Sequence, residues 1–104
     1  MIVYKNTAKG FKEDVDRNRI QEVLAENILK VFHGRRIGRS EQESWRNSLG
    51  FMERIVRRSE VADDCGILLE YTIPATYKRI DFIIAGENEK GHENFVIVEL
   101  KQWQ

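Results

Sequence analysis

Apolar residues change their spacing once along this chain. Up to about residue 60 they recur three and four positions apart, and beyond residue 66 they alternate or run together. Ile2, Val3 and Tyr4, followed by Lys5 and Asn6, predict a short edge strand. Ile20, Val23, Leu24, Ile28, Val31 and Phe32 lie on one helical stripe, which predicts a helix starting at Asp14 or Asp16 and ended by Gly34. A second helix is expected from Ser40, where Glu43 three residues on makes a capping-box pattern. Its apolar stripe is Trp45, Leu49, Met52 and Val56, with Arg46, Arg54, Arg57 and Arg58 on its other faces. Asp63, Asp64 and Gly66 supply the turn that stops it.

Three strands are predicted next: residues 67–73 ended by Pro74, residues 78–85 ended by Gly86, and residues 95–101 after a polar loop. Two helices followed by three strands is an α+β order, most simply closed as a three-stranded antiparallel meander. No repeat, low-complexity tract or linker divides the chain, so residues 1–104 read as a single domain.

Composition narrows the class. Apolar residues are 41% and charged residues 33% of the chain, which suits a folded protein rather than a disordered one. No apolar run approaches the ~20 residues of a membrane span, and the N-terminus lacks the apolar stretch of a signal peptide. One cysteine and two histidines cannot build a disulfide or a Cys/His zinc cage. A reduced, cytoplasmic protein with no membrane partner is therefore expected. Cys65 has no basic neighbour to activate it, His33 and His92 lack ligand spacing, and the Gly-Lys-Ser/Thr of a phosphate loop is absent.

Charge is zero in sum but segregated. Residues 30–58 carry eight Lys/Arg against three Glu, and residues 59–104 carry four against nine acids. That polarity suits a protein that meets a polyanion on one side and holds a cation on another, although a basic solvated helix face is the plainer explanation of the first part. Arg35, Arg36 and Arg39, with Gly34 and Gly38, form a basic loop at the head of this segment.

The last two strands bring the chemistry together. If their loop centres on Lys90, antiparallel partners sum to 180, so Asp81 lies opposite Glu99 and Arg79 opposite Lys101. Paired residues share a face, and so do residues two apart, which gathers all four at one end of an otherwise apolar hairpin. A one-residue slip would scatter them. Two adjacent carboxylates repel and resist dehydration, and a divalent cation relieves both costs. Hard oxygen donors select Mg²⁺ or Mn²⁺. With a lysine two residues on, this is a set for phosphodiester hydrolysis. Glu-x-Lys alone decorates many strand ends, and a surface salt-bridge cluster is the plainer alternative. Position favours the metal, because Glu99 follows four consecutive apolar residues.

The same residues carry a resemblance. Asp on one strand, then Glu-x-Lys on the next, resembles the PD-(D/E)XK nuclease superfamily. More narrowly, Tyr71-Thr72-Ile73-Pro74, Lys78-Arg79-Ile80-Asp81-Phe82-Ile83-Ile84-Ala85-Gly86 and Val96-Ile97-Val98-Glu99-Leu100-Lys101-Gln102-Trp103 are similar to one of its groups. It is the nuclease-like domain that precedes a P-loop helicase/ATPase module in some prokaryotic proteins. The likeness includes Ser44-Trp45-Arg46-Asn47-Ser48-Leu49 and is densest over residues 66–103.

The resemblance implies a restriction-endonuclease-like core and Mg²⁺-dependent (or Mn²⁺-dependent) hydrolysis of DNA. Asp81 and Glu99 would ligate the metal with the Leu100 carbonyl, and Lys101 would position or activate the attacking water. The upstream glutamate used by many members is open between Glu70 and Glu53. Glu70 is preferred because its strand leads into the hairpin, while Glu53 reads equally as an exposed helix charge. Arg79 contacts phosphate or pairs with the acids, and Gln102 lines the DNA side, while Trp103 reads as core. Arg35, Arg36 and Arg39 would meet the phosphate backbone. The family core normally continues with a further helix and strand, whereas this chain ends three residues past Lys101. It is therefore expected to be a fragment truncated at its C-terminus, a degenerate copy, or a chain that completes its sheet as a homodimer through the exposed edge. An inert nuclease-fold module that binds nucleic acid or docks onto a helicase/ATPase partner is the competing expectation.

Overall fold

The computed structural model describes residues 1–32, 37–72, 79–87 and 93–101. They form a small mixed α/β domain in the order β1 (Ile2–Thr7), α1 (Ala8–Asp16), α2 (Ile20–Val31), α3 (Arg39–Arg58), β2 (Gly66–Thr72), β3 (Arg79–Glu87) and β4 (Glu93–Lys101). The strands make one antiparallel sheet in spatial order β1-β2-β3-β4. The predicted three-strand meander is present as β2-β3-β4, and β1 adds a fourth strand beside β2. His33, Arg35, Arg36, Pro74, His92, Gln102 and Trp103 lie outside the described residues.

The helical half differs from its expectation. Periodicity predicts two helices, the first from Asp14 or Asp16, but the described chain forms three. Thr7 opens α1 as an N-cap, its Oγ1 accepting from the Gly10 amide at 3.1 Å. Ala8 and Phe11 then enter the core, with Val15 partly buried against it. Asn18 separates α1 from α2 with φ 58, a left-handed conformation that asparagine tolerates better than most residues. Its side-chain and backbone oxygens both accept from Gln21 Nε2, which steadies the corner. The capping box at Ser40 does not form: α3 begins one residue earlier, behind an extended Gly38, with no side chain capping it.

All three helices lie on one face of the sheet. α3 buries the predicted stripe of Trp45, Leu49, Met52 and Val56. Alternation does the rest: Ile67, Leu69 and Tyr71 of β2 and Ile80 and Phe82 of β3 point into the helical layer. Aromatic edges lock the layers, with Phe11 and Phe82 centroids 5.2 Å apart and Trp45 and Tyr71 6.0 Å apart. β1 is held by α2 as well as by β2, since Asn27 Nδ2 donates to the Val3 carbonyl at 2.8 Å. No described helix is long and apolar enough to cross a membrane.

Candidate functional site

Strand alternation that sends Tyr71, Ile80 and Phe82 into the core sends their neighbours to the opposite face. The β3–β4 register is the one expected from a loop centred on residue 90: Asp81 pairs with Glu99 and Arg79 with Lys101. β2 extends both rows. Glu70 pairs with Asp81, and Thr72 with Arg79. Three acids therefore run side by side across three adjacent strands on the face without helices. At ordinary strand spacing their Cα row spans about 10 Å. The next row along the strands, one pleat on, holds Thr72, Arg79 and Lys101.

The three acids have different surroundings. Asp81, on a strand with neighbours on both sides, is only 8% exposed, although none of the described helices covers this face. Glu70 is half-buried and Glu99, on the edge strand, is exposed. Like charges directly opposite one another destabilise a sheet, so the row needs cations near it. Asp81 and Glu99 each take part in further polar interactions. Among the described residues no three His, Cys, Asp or Glu side chains converge as a ready-made metal cage. Leu100 pairs with Ile80, and its side chain packs against the core rather than among the acids.

Glu53 is elsewhere. It sits on the core side of α3, 5% exposed, and accepts from Arg57 Nε one turn on. Arg57 also holds Asp16 at the end of α1 through Nη2, at 2.9 and 3.1 Å to the two carboxylate oxygens. The expectation of an exposed Glu53 is thus wrong, because one arginine pairs with it and with Asp16 together. This removes Glu53 from the acid row, and Glu70 is the upstream glutamate that lies beside Asp81.

The described part of the basic segment does not border the acids. α3 packs on the helix-bearing face, with Arg39, Arg46, Arg54 and Arg58 exposed along it. The exposed arginines of α3 and the acid row therefore lie on opposite sides of the sheet. Arg54 lies 6.0 Å from the centroid of the exposed Phe51 ring, which gives α3 a mixed basic and apolar outer surface.

One polar cluster carried no sequence signal. Tyr4 Oη donates to Asp14 Oδ2 at 2.6 Å, and Asn6 Nδ2 lies 3.1 Å from that hydroxyl and 3.4 Å from the same carboxylate oxygen. Burial, reinforced by the Asp14 carboxylate, pushes the Tyr4 phenol well above its ordinary value and keeps it protonated as the donor. Its members come from β1 and α1, and with α1 unpredicted nothing in the sequence paired them. No family model, curated protein or solved structure matches this chain.

Proposed function

We propose that the acid face of the β2-β3-β4 sheet is a PD-(D/E)XK-type site for Mg²⁺-dependent or Mn²⁺-dependent hydrolysis of DNA phosphodiesters, on a restriction-endonuclease-like core. The observation that supports this reading is the direct pairing of Asp81 with Glu99, extended by Glu70 on one side and by the Arg79–Lys101 pair one pleat on. The donor set fits a hard divalent cation, since it offers carboxylate oxygens on adjacent strands with one of them largely withdrawn from water. Such a cation, when bound, supplies Lewis-acid activation and charge neutralisation.

The chain's own residues have distinct roles in this reading. Asp81 and Glu99 hold the ion with the Leu100 carbonyl, and Glu70 orients the Asp81 carboxylate or adds an outer ligand. Lys101 positions the attacking water and stabilises charge developing on the phosphate. Arg79 grips a non-bridging phosphate oxygen, while Gln102 lines the DNA path. The proposed cellular setting is the cytoplasm, in cis or in trans to a helicase/ATPase module.

Calorimetric titration of Mg²⁺ and Mn²⁺ tests this, beside Asp81→Ala and Glu99→Ala. Binding by the parent chain is expected and is lost in both variants. Cleavage of single- or double-stranded DNA is expected to disappear in Lys101→Ala while metal binding survives. A folded parent chain that binds neither ion removes the proposal. The exposed arginines of α3 on the far side of the sheet favour a second reading, an inert module that binds nucleic acid or a helicase partner through that helix. Salt-sensitive DNA binding that survives Asp81→Ala but is lost when Arg46, Arg54 and Arg58 become Ala is its expected signature.

A further inference from the structure

The two edges of the sheet are not alike. β1 carries the devices that blunt an edge: a register shift between Ile2 and Tyr4, an exposed lysine at residue 5, and a carbonyl taken by Asn27 of α2. β4 has none of them along its middle. It pairs with β3 over nine consecutive positions without a bulge, and among the described strands it has no neighbour on its other side.

Its sequence is that of an interior strand. Phe95-Val96-Ile97-Val98 is a continuous apolar run of the kind found where both faces of a strand are buried. Val96 on the helix-bearing face is nevertheless 55% exposed, and Ile97 on the acid face is 65% exposed. Flat edges of this composition are templates for strand addition.

We propose that a second copy of this chain adds to β4, antiparallel and centred on Ile97, joining two four-stranded sheets into one of eight strands. Charge complementarity within β4 selects this occupant and this register. Antiparallel self-pairing about residue 97 sets Glu93 opposite the partner's Lys101, and Lys101 opposite the partner's Glu93. Val96 then meets the partner's Val98, and Ile97 meets the partner's Ile97. Centring on Val96 instead would oppose Glu93 to the partner's Glu99, a like-charge pair, and centring on Val98 would set Lys101 opposite the partner's Phe95 rather than an acid. Paired residues share a face, so both helical layers lie on one side and both acid rows on the other. The two Asp81 positions come to lie about 20 Å apart at ordinary strand spacing and rise. The described helices pack over β1 and β2 and leave Val96 and Ile97 of β4 exposed, so the second copy can approach. The metal reading is not needed for any of this.

Sedimentation velocity over a concentration series, with circular dichroism as a folding control, tests the pairing. A reversible monomer–dimer equilibrium is expected for the parent chain. Ile97→Lys, which sets two like charges face to face at the two-fold axis on an already exposed site, is expected to leave a folded monomer at every concentration. Glu93→Lys and Lys101→Glu are each expected to weaken the dimer about tenfold, since each substitution acts at two symmetry-related pairs. The double exchange is expected to restore it to within about threefold of the parent. A parent chain that stays monomeric to its solubility limit overturns the proposal. So does open-ended assembly, a dimer indifferent to Ile97→Lys, or a double exchange that fails to restore what the single ones lose.

Discussion

At the scale of single residues, the acid row carries a cost in stability that the proposed cation would offset. Glu70 stands directly opposite Asp81, and an opposed like-charge pair costs a sheet about 0.2–1 kcal/mol. Glu70→Gln is therefore expected to raise the melting temperature of the metal-free chain by about 1–8 °C. The same change should reduce the further rise produced by Mg²⁺ or Mn²⁺, if the row is a cation site. Thermal melts with and without the ion read both effects together. The phenol of Tyr4 presents the reverse case, in which a buried polar group is fully used. Tyr4→Phe deletes the donor to Asp14 at 2.6 Å, and a hydrogen bond to a charged acceptor contributes about 1.5–3 kcal/mol. A loss of that size is expected in urea denaturation, with an unchanged dependence on urea concentration.

At the scale of elements, α1 depends on how it begins and how it is tied down. Thr7→Ala removes its N-cap and is expected to cost about 1 kcal/mol. Gly10→Ala would normally strengthen a helix interior by about 1 kcal/mol. Here a methyl group would meet Asn6 Oδ1 at 2.1 Å, and that side chain already bonds the Thr7 amide and lies against Tyr4. The substitution is therefore expected to destabilise. A chain that becomes more stable would show that Asn6 can leave at no cost. Further along the helix, Lys12 holds Asp63 at 2.8 Å, tying α1 to the turn before β2. Hydrogen bonding and charge from Lys12 keep the Asp63 carboxyl below its ordinary value. A depressed acid stabilises the fold above its unfolded pKa, so this contribution is complete at neutral pH. It is lost as pH falls from about 3.9 towards the lower folded value. Asp63→Asn should accordingly lower stability at pH 7 and make little difference once the acid is protonated. The tie is exposed, so the effect is small.

At the scale of the whole molecule, the core and the candidate site share a strand. Phe82 is fully buried against Phe11 and follows Asp81 directly, so the side chain that anchors β3 to the helices also fixes the height of the acid row. Phe82→Ala is expected to cost about 3–5 kcal/mol, a large fraction of the ~5–15 kcal/mol available to a domain. Under the proposed function, metal binding would then fall with the folded population, and adding a stabilising osmolyte would recover both together. Loss of metal binding in a chain that remains fully folded by circular dichroism would show that β3 moves locally instead. The sheet also separates two charged features: the row of Glu70, Asp81 and Glu99 lies on the open face, and the exposed arginines of α3 lie on the helical side. A polyanion drawn to α3 would therefore approach from the side away from Asp81, and under the proposed function a DNA path to the acids would run past Arg79 and Lys101 rather than past Arg39, Arg46 and Arg54.

Local order was legible in the residues themselves. Two consecutive strands joined by a short polar loop have few registers open to them, so Asp81 and Glu99 could be set opposite each other by counting from the centre of that loop. The α3 stripe was equally legible, because a 3.6-residue period states which side chains turn inward. Periodicity says which way a residue faces but not which distant residue it meets. The joining of β1 to β2 spans about sixty residues of chain, and with it came the fourth strand, α1 and the Tyr4–Asp14 contact. Aligning Glu70 with Asp81 required the β2–β3 register, and the burial of Glu53 required Arg57 to face both it and Asp16. Only packing decided that the basic helix and the acid row lie on opposite sides of one sheet, because a sheet alternates its faces while helices cover the apolar one.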